Sequence, residues 1–211
     1  MSTEFASAGL TAGQLNAIVK KLGGHYMALR FLRDELSVSE PTRSWREEDG
    51  VIYFSVTSDG TTGEDWIKRL EGNGFRVGDY AKQVLCSPDF KPTSGVTTEV
   101  AVLKGMLLKD NDRITKKIRA EADMRKLSKP NAELACLTRE KFTDKEIEAM
   151  GLLYIVAMHE PINDSDGDSS LLCAHRDDDG RWLYASYDGP DHMWDRDSGF
   201  AFAVSQVSSQ H

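Results

Sequence analysis

The longest apolar runs of this chain are too short to cross a membrane and have the length of β-strands. The clearest is GLLYIVAM at 151–158, and the runs VIYFSVT (51–57) and FAFAVSQV (200–207) are rich in β-branched and aromatic residues. A membrane-spanning helix needs about 20 consecutive apolar residues. Short buried strands, with amphipathic helical segments between them, therefore predict an α+β protein without a membrane span.

Helix boundaries are marked by capping and breaking residues. Thr143 with Glu146 has the form of a capping box, which satisfies free N–H groups at a helix start. Pro130 is expected in the first turn of the preceding helix, which runs to about Phe142. Other helices are predicted at 62–72, 78–86 and 110–127, and a strand at 96–108 with a bulge at Gly105. The last fifty residues are expected to be rich in loops.

The N-terminal part is predicted to form two helices between residues 11 and 36. Thr11 with Gln14 is a second capping box, and Gly23-Gly24 interrupts the apolar periodicity. The polar stretch 37–50 is the linker candidate. A helix–turn–helix arrangement leaves a DNA-binding adaptor open as one alternative. A hairpin that packs on the main domain or on another chain is favoured, because the second helix carries little excess positive charge.

Charge and cysteine content restrict the class of partner and the compartment. The net charge of −8 makes nucleic acid an improbable partner, because that affinity rests on Lys and Arg neutralising phosphates. The three cysteines form neither a CxxC motif nor a Cys/His cluster, which disfavours a zinc site or a disulfide scaffold. The N-terminal sequence shows no signal peptide. A cytoplasmic protein is expected by default, with surface display by another route left open.

Two segments are candidates for chemistry. His159-Glu160 follows a predicted strand, and with the acidic loop NDSDGD (163–168) it allows a small metal-dependent enzyme as an alternative. The loop fails the EF-hand pattern, because Ile162 and Cys173 would occupy its first and last ligand positions. A satisfied boundary histidine and a polar turn are the favoured interpretations. No GxSxG, P-loop or GxGxxG motif is present.

The C-terminal region combines acidic and aromatic residues. Residues 160–198 contain eleven Asp or Glu and three Arg, a balance that favours cationic, polar or sugar-like partners. Aromatic rings beside short polar side chains are typical of binding loops, because they offer rigid contact area at low entropic cost. Some of these rings belong in the core, and Trp182 and Phe200 are the predicted inward positions.

The motif GRWL (180–183), followed by GFAFAVSQV (199–207), resembles the C-terminal sequence of variable proteins of diversity-generating retroelements, and most closely archaeal and metagenomic members. The resemblance covers about 75–211 and is strongest over 150–207. It implies a C-type-lectin-like fold with a loop-rich C-terminal ligand-binding face, preceded by an N-terminal helical segment. The expected boundaries are 1–48 for that segment and its linker, 49–211 for the ligand-binding domain, and about 171–204 for the variable region.

In that family a reverse transcriptase rewrites adenines in the gene, so that Asn codons are the preferred targets. The matching ligand-binding positions in this sequence are Cys173, His175, Asp177, Tyr184, Ser186, Gly189, His192, Asp195, Asp197 and Ser198. The scaffold positions are Trp182, Gly199, Phe200 and Phe202. Met193 departs from the pattern, because an Asn codon is not expected to yield it.

The leading hypothesis is a non-enzymatic protein that binds an unknown ligand, a protein or another macromolecule, through a hypervariable surface. It predicts no catalytic residues, no metal and no cofactor, and it leaves the oligomeric state open.

Overall fold

The computed structural model describes residues 11–36, 43–177 and 179–205. Contacts between Cα atoms divide the chain into two compact units, Met1–Arg43 and Ser44–His211. The second unit combines helices with a large sheet, which confirms the α+β class. The C-type-lectin-like topology and the domain boundary at residue 48 stay predictions.

Among the described residues, no helix combines the length and the apolar character that crossing a bilayer requires.

The first unit contains the two predicted helices, α1 (Ala12–Lys21) and α2 (His25–Leu32). The predicted capping box is confirmed: the Thr11 hydroxyl accepts the N–H of Gln14 at 3.3 Å, and Gln14 Oε1 accepts the N–H of Thr11 at 2.8 Å. Gly23 and Gly24 have φ angles of 93° and 101°, which side chains other than glycine rarely adopt. This backbone reverses the chain between the helices.

In residues 44–177 and 179–205, the second unit has a ten-stranded sheet and five α-helices. The helices are α3 (Gly63–Gly72), α4 (Asp79–Cys86), α5 (Thr115–Met124), α6 (Leu134–Lys141) and α7 (Asp144–Ala149). The strands are β1 (Arg46–Glu48), β2 (Val51–Asp59), β3 (Arg76–Val77), β4 (Ser94–Lys104), β5 (Leu127–Ser128), β6 (Tyr154–Ala157), β7 (Ile162–Asn163), β8 (Ser169–Asp177), β9 (Gly180–Tyr187) and β10 (Ser198–Val204). Their order is β1-β2-β4-β10-β6-β8-β9-β3, with β5 beside β10 and β7 beside β8. The last long strand, β10, lies in the centre, antiparallel to β4 and parallel to β6.

Alternation along the strands builds two cores, one on each face of the sheet. On the first face, strand residues such as Ile155 pack with Trp66 of α3 and with other residues of α4, α6 and α7. On the second face, Val156 and Phe200 pack with Ile118 of α5. The sheet is therefore covered by four helices on one face and by one helix on the other, which leaves part of the second face for the loops.

Several predicted elements are confirmed and others need correction. The capping box of Thr143 and Glu146 opens α7, and the helix predicted at 62–72 is α3. The linker interpretation of 37–50 is wrong at its end, because Arg46–Glu48 form β1 and pair with β2. The helix after Pro130 begins only at Leu134.

The segment around Gly105 also differs from the prediction. The strand β4 ends at Lys104, and Gly105 opens a 3-10 turn instead of a bulge. A Cβ at Gly105 would lie only 2.8–3.1 Å from the carbonyl oxygens of Asp195, Arg196 and Ser198. The glycine thus permits close approach of the C-terminal loop. The helix predicted at 110–127 is shortened to α5 by a second 3-10 turn at Asp110–Asp112.

The largest correction concerns the C-terminal region, for which the sequence predicts many loops and a final strand. It contains the antiparallel pair β8 and β9, in register from Ser170 with Tyr187 to Asp177 with Gly180. Leu172 and Leu183 of this pair face the first core. On the opposite side Leu171 and Cys173 join the second core, whereas His175, Tyr184 and Ser186 are only partly buried. The pair is therefore covered on both faces at the start of β8 and only partly covered towards its end.

Candidate ligand-binding surface

Among the described residues of the second unit, no helix covers the second face of the sheet at its β8–β9 end. We call this patch the open face; its side chains are Tyr154, His175, Asp177, Trp182, Tyr184 and Ser186. Pairing places Tyr154 beside His175, and His175 beside Trp182. The rings form a continuous row, with centroid distances of 5.6 Å for Tyr154–His175, 5.4 Å for His175–Tyr184 and 4.7 Å for the stacked Tyr184–Trp182 pair.

A cavity of about 370 Å³ opens into this patch. It is lined by Tyr154, Cys173, His175, Asp177, Tyr184, Ala185 and Ser186. Its size falls within the range of about 300–1,000 Å³ that is usual for ligand sites. Burial raises the pKa of the Cys173 thiol to about 11, so this cysteine stays protonated and is a poor nucleophile. Burial also lowers the pKa of His175, which favours its neutral form.

The backbone under His175 is held from behind the sheet by Arg139 of α6. This guanidinium is completely buried; it donates to the carbonyl oxygen of His175 at 2.9 Å and to that of Phe142 at 2.6 Å. It also pairs with the carboxylate of Asp144 at 2.9 Å, which compensates its charge. The position of β8 is thus fixed by contacts that involve no side chain of the open face.

The 188–197 loop lies beside the open face and is anchored to α5 through main-chain atoms. The carbonyl oxygens of His192 and Pro190 accept the N–H groups of Thr115 (3.2 Å) and Lys116 (3.0 Å). These are free N–H groups of the first helical turn, and α5 has no side-chain cap of its own. The loop therefore caps the helix with groups that every amino acid possesses.

Two buried side chains complete the anchoring of the loop. Trp194, 4% exposed, donates from Nε1 to the Thr115 hydroxyl at 3.0 Å, and its ring contacts Phe200 edge-on. Asp188 forms an ion pair of 2.8 Å with Arg119, with 6% of the Asp188 side chain exposed. Desolvation raises the pKa of Asp188, although Arg119 acts in the opposite direction.

A second cavity of about 480 Å³ lies at the far side of this loop. It is lined by Met106, Gly151, Leu153, Asp195, Arg196 and Asp197. The Tyr154 hydroxyl donates to Oδ2 of Asp195 at 3.0 Å and so connects the two cavities. Burial raises the pKa of Tyr154 to about 12, and the negative charges of Asp195 and Asp197 add to the shift.

Most predicted ligand-binding positions come together on this surface. His175, Asp177, Tyr184 and Ser186 line the first cavity, and Asp195 and Asp197 line the second. His192 is partly buried in the loop, with its ring between those of Tyr187 (5.9 Å) and Trp194 (4.6 Å).

Three predicted display positions are buried and need correction. Ser198 is inaccessible at the start of the central strand β10, and Cys173 is 3% exposed at the floor of the first cavity. Gly189 is also buried, and a Cβ there would lie 2.4 Å from the ring of Tyr187. Substitution of Gly189 would require Tyr187 to move.

The scaffold predictions have a mixed outcome. The inward position of Phe200 is confirmed by its complete burial, and Phe202 is 2% exposed. A Cβ at Gly199 would lie 2.7 Å from both Leu152 and Val102, which makes this a tightly packed position. The inward position predicted for Trp182 is wrong: its ring is half-buried on the open face, where it stacks on Tyr184 and donates to Asp179 at 2.9 Å.

Sequence reasoning missed Tyr154, Arg119, Asp188 and Arg139. Tyr154 was hidden inside an apolar run, and the partners of the two arginines lie far away in sequence, at separations of 69 and 36 residues. Of these four residues, only Tyr154 could have been found from its neighbours in the sequence, since its hydroxyl is the one polar side-chain group of the apolar strand β6.

The candidate catalytic pair His159-Glu160 has a structural arrangement. His159 is buried; its Nδ1 donates to the carbonyl oxygen of Glu160 at 2.6 Å, and its Nε2 accepts the N–H of Leu172 at 3.0 Å. Both ring nitrogens are used, and burial lowers the pKa of His159 to about 4. The Glu160 carboxylate instead binds Lys129 at the surface. This geometry gives no support to the metal-dependent enzyme.

The acidic loop at 163–168 is a hydrogen-bonded turn. Oδ1 of Asp164 accepts the N–H groups of Asp166 and Asp168, each at 3.0 Å, and Gly167 has a φ of 85°. The polar-turn interpretation is therefore confirmed. Within residues 11–36, 43–177 and 179–205, no three His, Cys, Asp or Glu side chains are grouped so that they could hold a metal ion.

Comparison of this chain with protein-family models, with curated proteins and with solved structures gave no match.

Proposed function

We propose that this chain is a non-enzymatic ligand-binding protein that displays exchangeable side chains on the open face and the 188–197 loop. The proposal extends the resemblance of the C-terminal motif to variable proteins of diversity-generating retroelements. The second unit provides the frame, and the ligand contacts the two connected cavities.

The observation that carries the proposal is the way in which the loop is anchored. Its attachment to α5 uses carbonyl groups of Pro190 and His192, together with the buried Asp188 and Trp194. The exposed Asp197 forms none of these anchors through its side chain. A loop built in this way keeps its path when exposed residues change, which a diversified surface requires.

Asp195 is an exception within the loop, because its carboxylate accepts the Tyr154 hydroxyl. Asparagine retains a carbonyl oxygen that accepts the same bond. Position 195 can therefore vary between residues whose side chain accepts the hydrogen bond of the Tyr154 hydroxyl.

Sequencing this gene from several isolates of one population tests the proposal. Amino-acid variation should concentrate at His175, Asp177, Tyr184, Ser186, His192, Asp195 and Asp197, with Phe200, Phe202 and Trp194 constant. A near-copy of codons 171–204 and a reverse transcriptase gene should lie nearby. Variation spread evenly over the chain, without such a repeat, would contradict the proposal.

A further inference from the structure

The cavity of the open face combines aromatic walls with a negative rim. Tyr154, His175 and Tyr184 provide the rings, and Asp177 provides a carboxylate. The lining contains no Lys or Arg. Aromatic faces attract cations within about 6 Å of the ring centroid, and a nearby carboxylate adds a directed partner.

Acidic side chains lie on two sides of the cavity. Asp195 lies at hydrogen-bond distance from the Tyr154 hydroxyl, and Asp197 follows on the same loop. The negative charges of Asp195 and Asp197 raise the pKa of Tyr154, and those of Asp179 and Asp177 raise the pKa of Tyr184, in both cases in addition to burial. Both phenols therefore experience a negative potential from independent sides.

Three nearby cations, Arg76, Arg139 and Arg176, have carboxylate partners, whereas Arg196 lines the second cavity beside Asp195 and Asp197. Arg139 lies behind the sheet and pairs with Asp144. Arg76 lies 5.1 Å from the Trp182 ring at the edge of the open face and pairs with Asp179 at 3.0 Å. Arg76 also shows that a guanidinium is accommodated against this row of rings.

Exposed apolar side chains on β9 and the loop indicate the kind of molecule that carries the cation. Tyr187 is 53% exposed and Met193 is 63% exposed. Protein interfaces are enriched in Tyr, Met and Arg, with large apolar contacts around the central residues. A small free cation would leave these side chains in water, whereas a protein segment would cover them.

We propose that the open-face cavity binds an arginine or lysine side chain presented by a protein partner. The inference rests on the proposed function of this surface. The cationic group lies over the row formed by the rings of Tyr154, His175 and Tyr184 and faces the carboxylates of Asp177 and Asp195. The surrounding segment of the partner contacts Tyr187 and Met193.

Selection from a displayed library of random peptides on the immobilised full chain tests this assignment. Enriched peptides are measured by titration calorimetry against the wild type and against Asp177→Asn/Asp195→Asn, in which the shape and the acceptor for Tyr154 are kept. The control variant Glu64→Gln/Asp123→Asn removes two exposed carboxylates from α3 and α5, outside the cavity. Each peptide is also made with its cationic residue replaced by citrulline or glutamine.

The expected result is enrichment of Arg or Lys and a loss of affinity of about tenfold in the cavity variant, with little change in the control variant. The neutral peptides should lose a similar factor, and added salt should weaken the charged peptides only. Enriched peptides without Arg or Lys whose affinity falls for the protein variant Tyr184→Ser would overturn the cation assignment. They would leave the proposed display function intact. If no selected peptide loses affinity when Tyr184 or Asp177 is replaced, the result would count against both the cation assignment and the display function.

Discussion

The indole Nε1 of Trp194 donates to the hydroxyl of Thr115 at 3.0 Å, and the two residues are only 4% and 2% exposed. This bond joins the 188–197 loop to the first turn of α5. The same turn donates two main-chain N–H groups to carbonyl oxygens of the loop. The surface that we propose to bind ligand is thus supported from beneath by residues that no ligand can reach.

Replacing Thr115 by valine removes the acceptor and keeps the shape of the side chain. The indole N–H is then left buried without a partner, so we expect a loss of about 1–3 kcal/mol in the free energy of unfolding. Urea denaturation measures this loss. Thr57→Val is the matched control, since Thr57 is exposed and its hydroxyl shares a bond with the exposed hydroxyl of Thr97. Equal midpoints for the wild type and Thr115→Val would contradict the anchoring role.

Frame and displayed residues should differ strongly in their effect on stability. Phe200→Ala empties a completely buried ring site and should cost about 3–5 kcal/mol. Ser186→Ala, Asp195→Asn and Asp197→Asn should each change stability by roughly 0.5 kcal/mol or less, as surface changes usually do. Thermal unfolding of the four variants decides between these outcomes. Comparable losses in both groups would remove the distinction on which the proposed function depends.

Trp182 provides an intermediate case within the same measurement. Its ring stacks on Tyr184 at the surface instead of filling the core. We therefore expect Trp182→Ala to cost about 1 kcal/mol, the usual value of an aromatic pair. A loss as large as that of Phe200→Ala would restore the inward position predicted from the sequence.

The sequence predicts most of the frame, because the frame is governed by local rules. The capping boxes at Thr11 and Thr143 need only four residues to be recognised, and both are present. Phe200 belongs to an apolar strand whose burial follows from its composition. The interpretation of His159 as a satisfied boundary residue also agrees with its two hydrogen bonds.

The site is less predictable, because it depends on tertiary pairing. The strands β8 and β9 have one partly exposed side, and the cover on that side depends on how far α5 and the loop extend over the sheet. Trp182 is not inward for this reason, whereas Trp194, whose indole bonds to Thr115 of α5, is buried. The contacts of Arg119 with Asp188 and of Arg139 with His175 join residues whose separation along the chain carries no signal.

Breaking the ion pair between Arg119 and Asp188 should destabilise the protein and loosen the loop. Arg119→Met leaves the carboxylate of Asp188 almost fully buried without its cation, and we expect a loss of about 3 kcal/mol. The double variant Arg119→Met/Asp188→Asn removes the uncompensated charge and should recover part of that loss. Denaturant titration compares the single and double variants. A double variant less stable than Arg119→Met would show that charge compensation is not the reason.

The stability of the protein should fall with pH between about 6.5 and 4, because His159 is neutral in the folded state. Burial lowers the pKa of His159 to about 4 in the folded protein, below the value of 6.5 for an exposed histidine. The unfolded chain therefore binds a proton that the folded chain does not, as the pH falls below 6.5. The stability associated with neutral His159 is complete above pH 6.5 and is lost progressively down to about pH 4, by roughly 3 kcal/mol in total.

The variant His159→Gln tests this dependence. It lacks the titrating group, while its amide replaces the imidazole as hydrogen-bond donor and acceptor. The difference in unfolding free energy between wild type and variant, measured by urea titration from pH 8 to pH 4, should shrink with acidification. Parallel curves over that range would show that folding leaves the pKa of His159 unchanged, and would contradict its burial between the two hydrogen bonds at the end of β6.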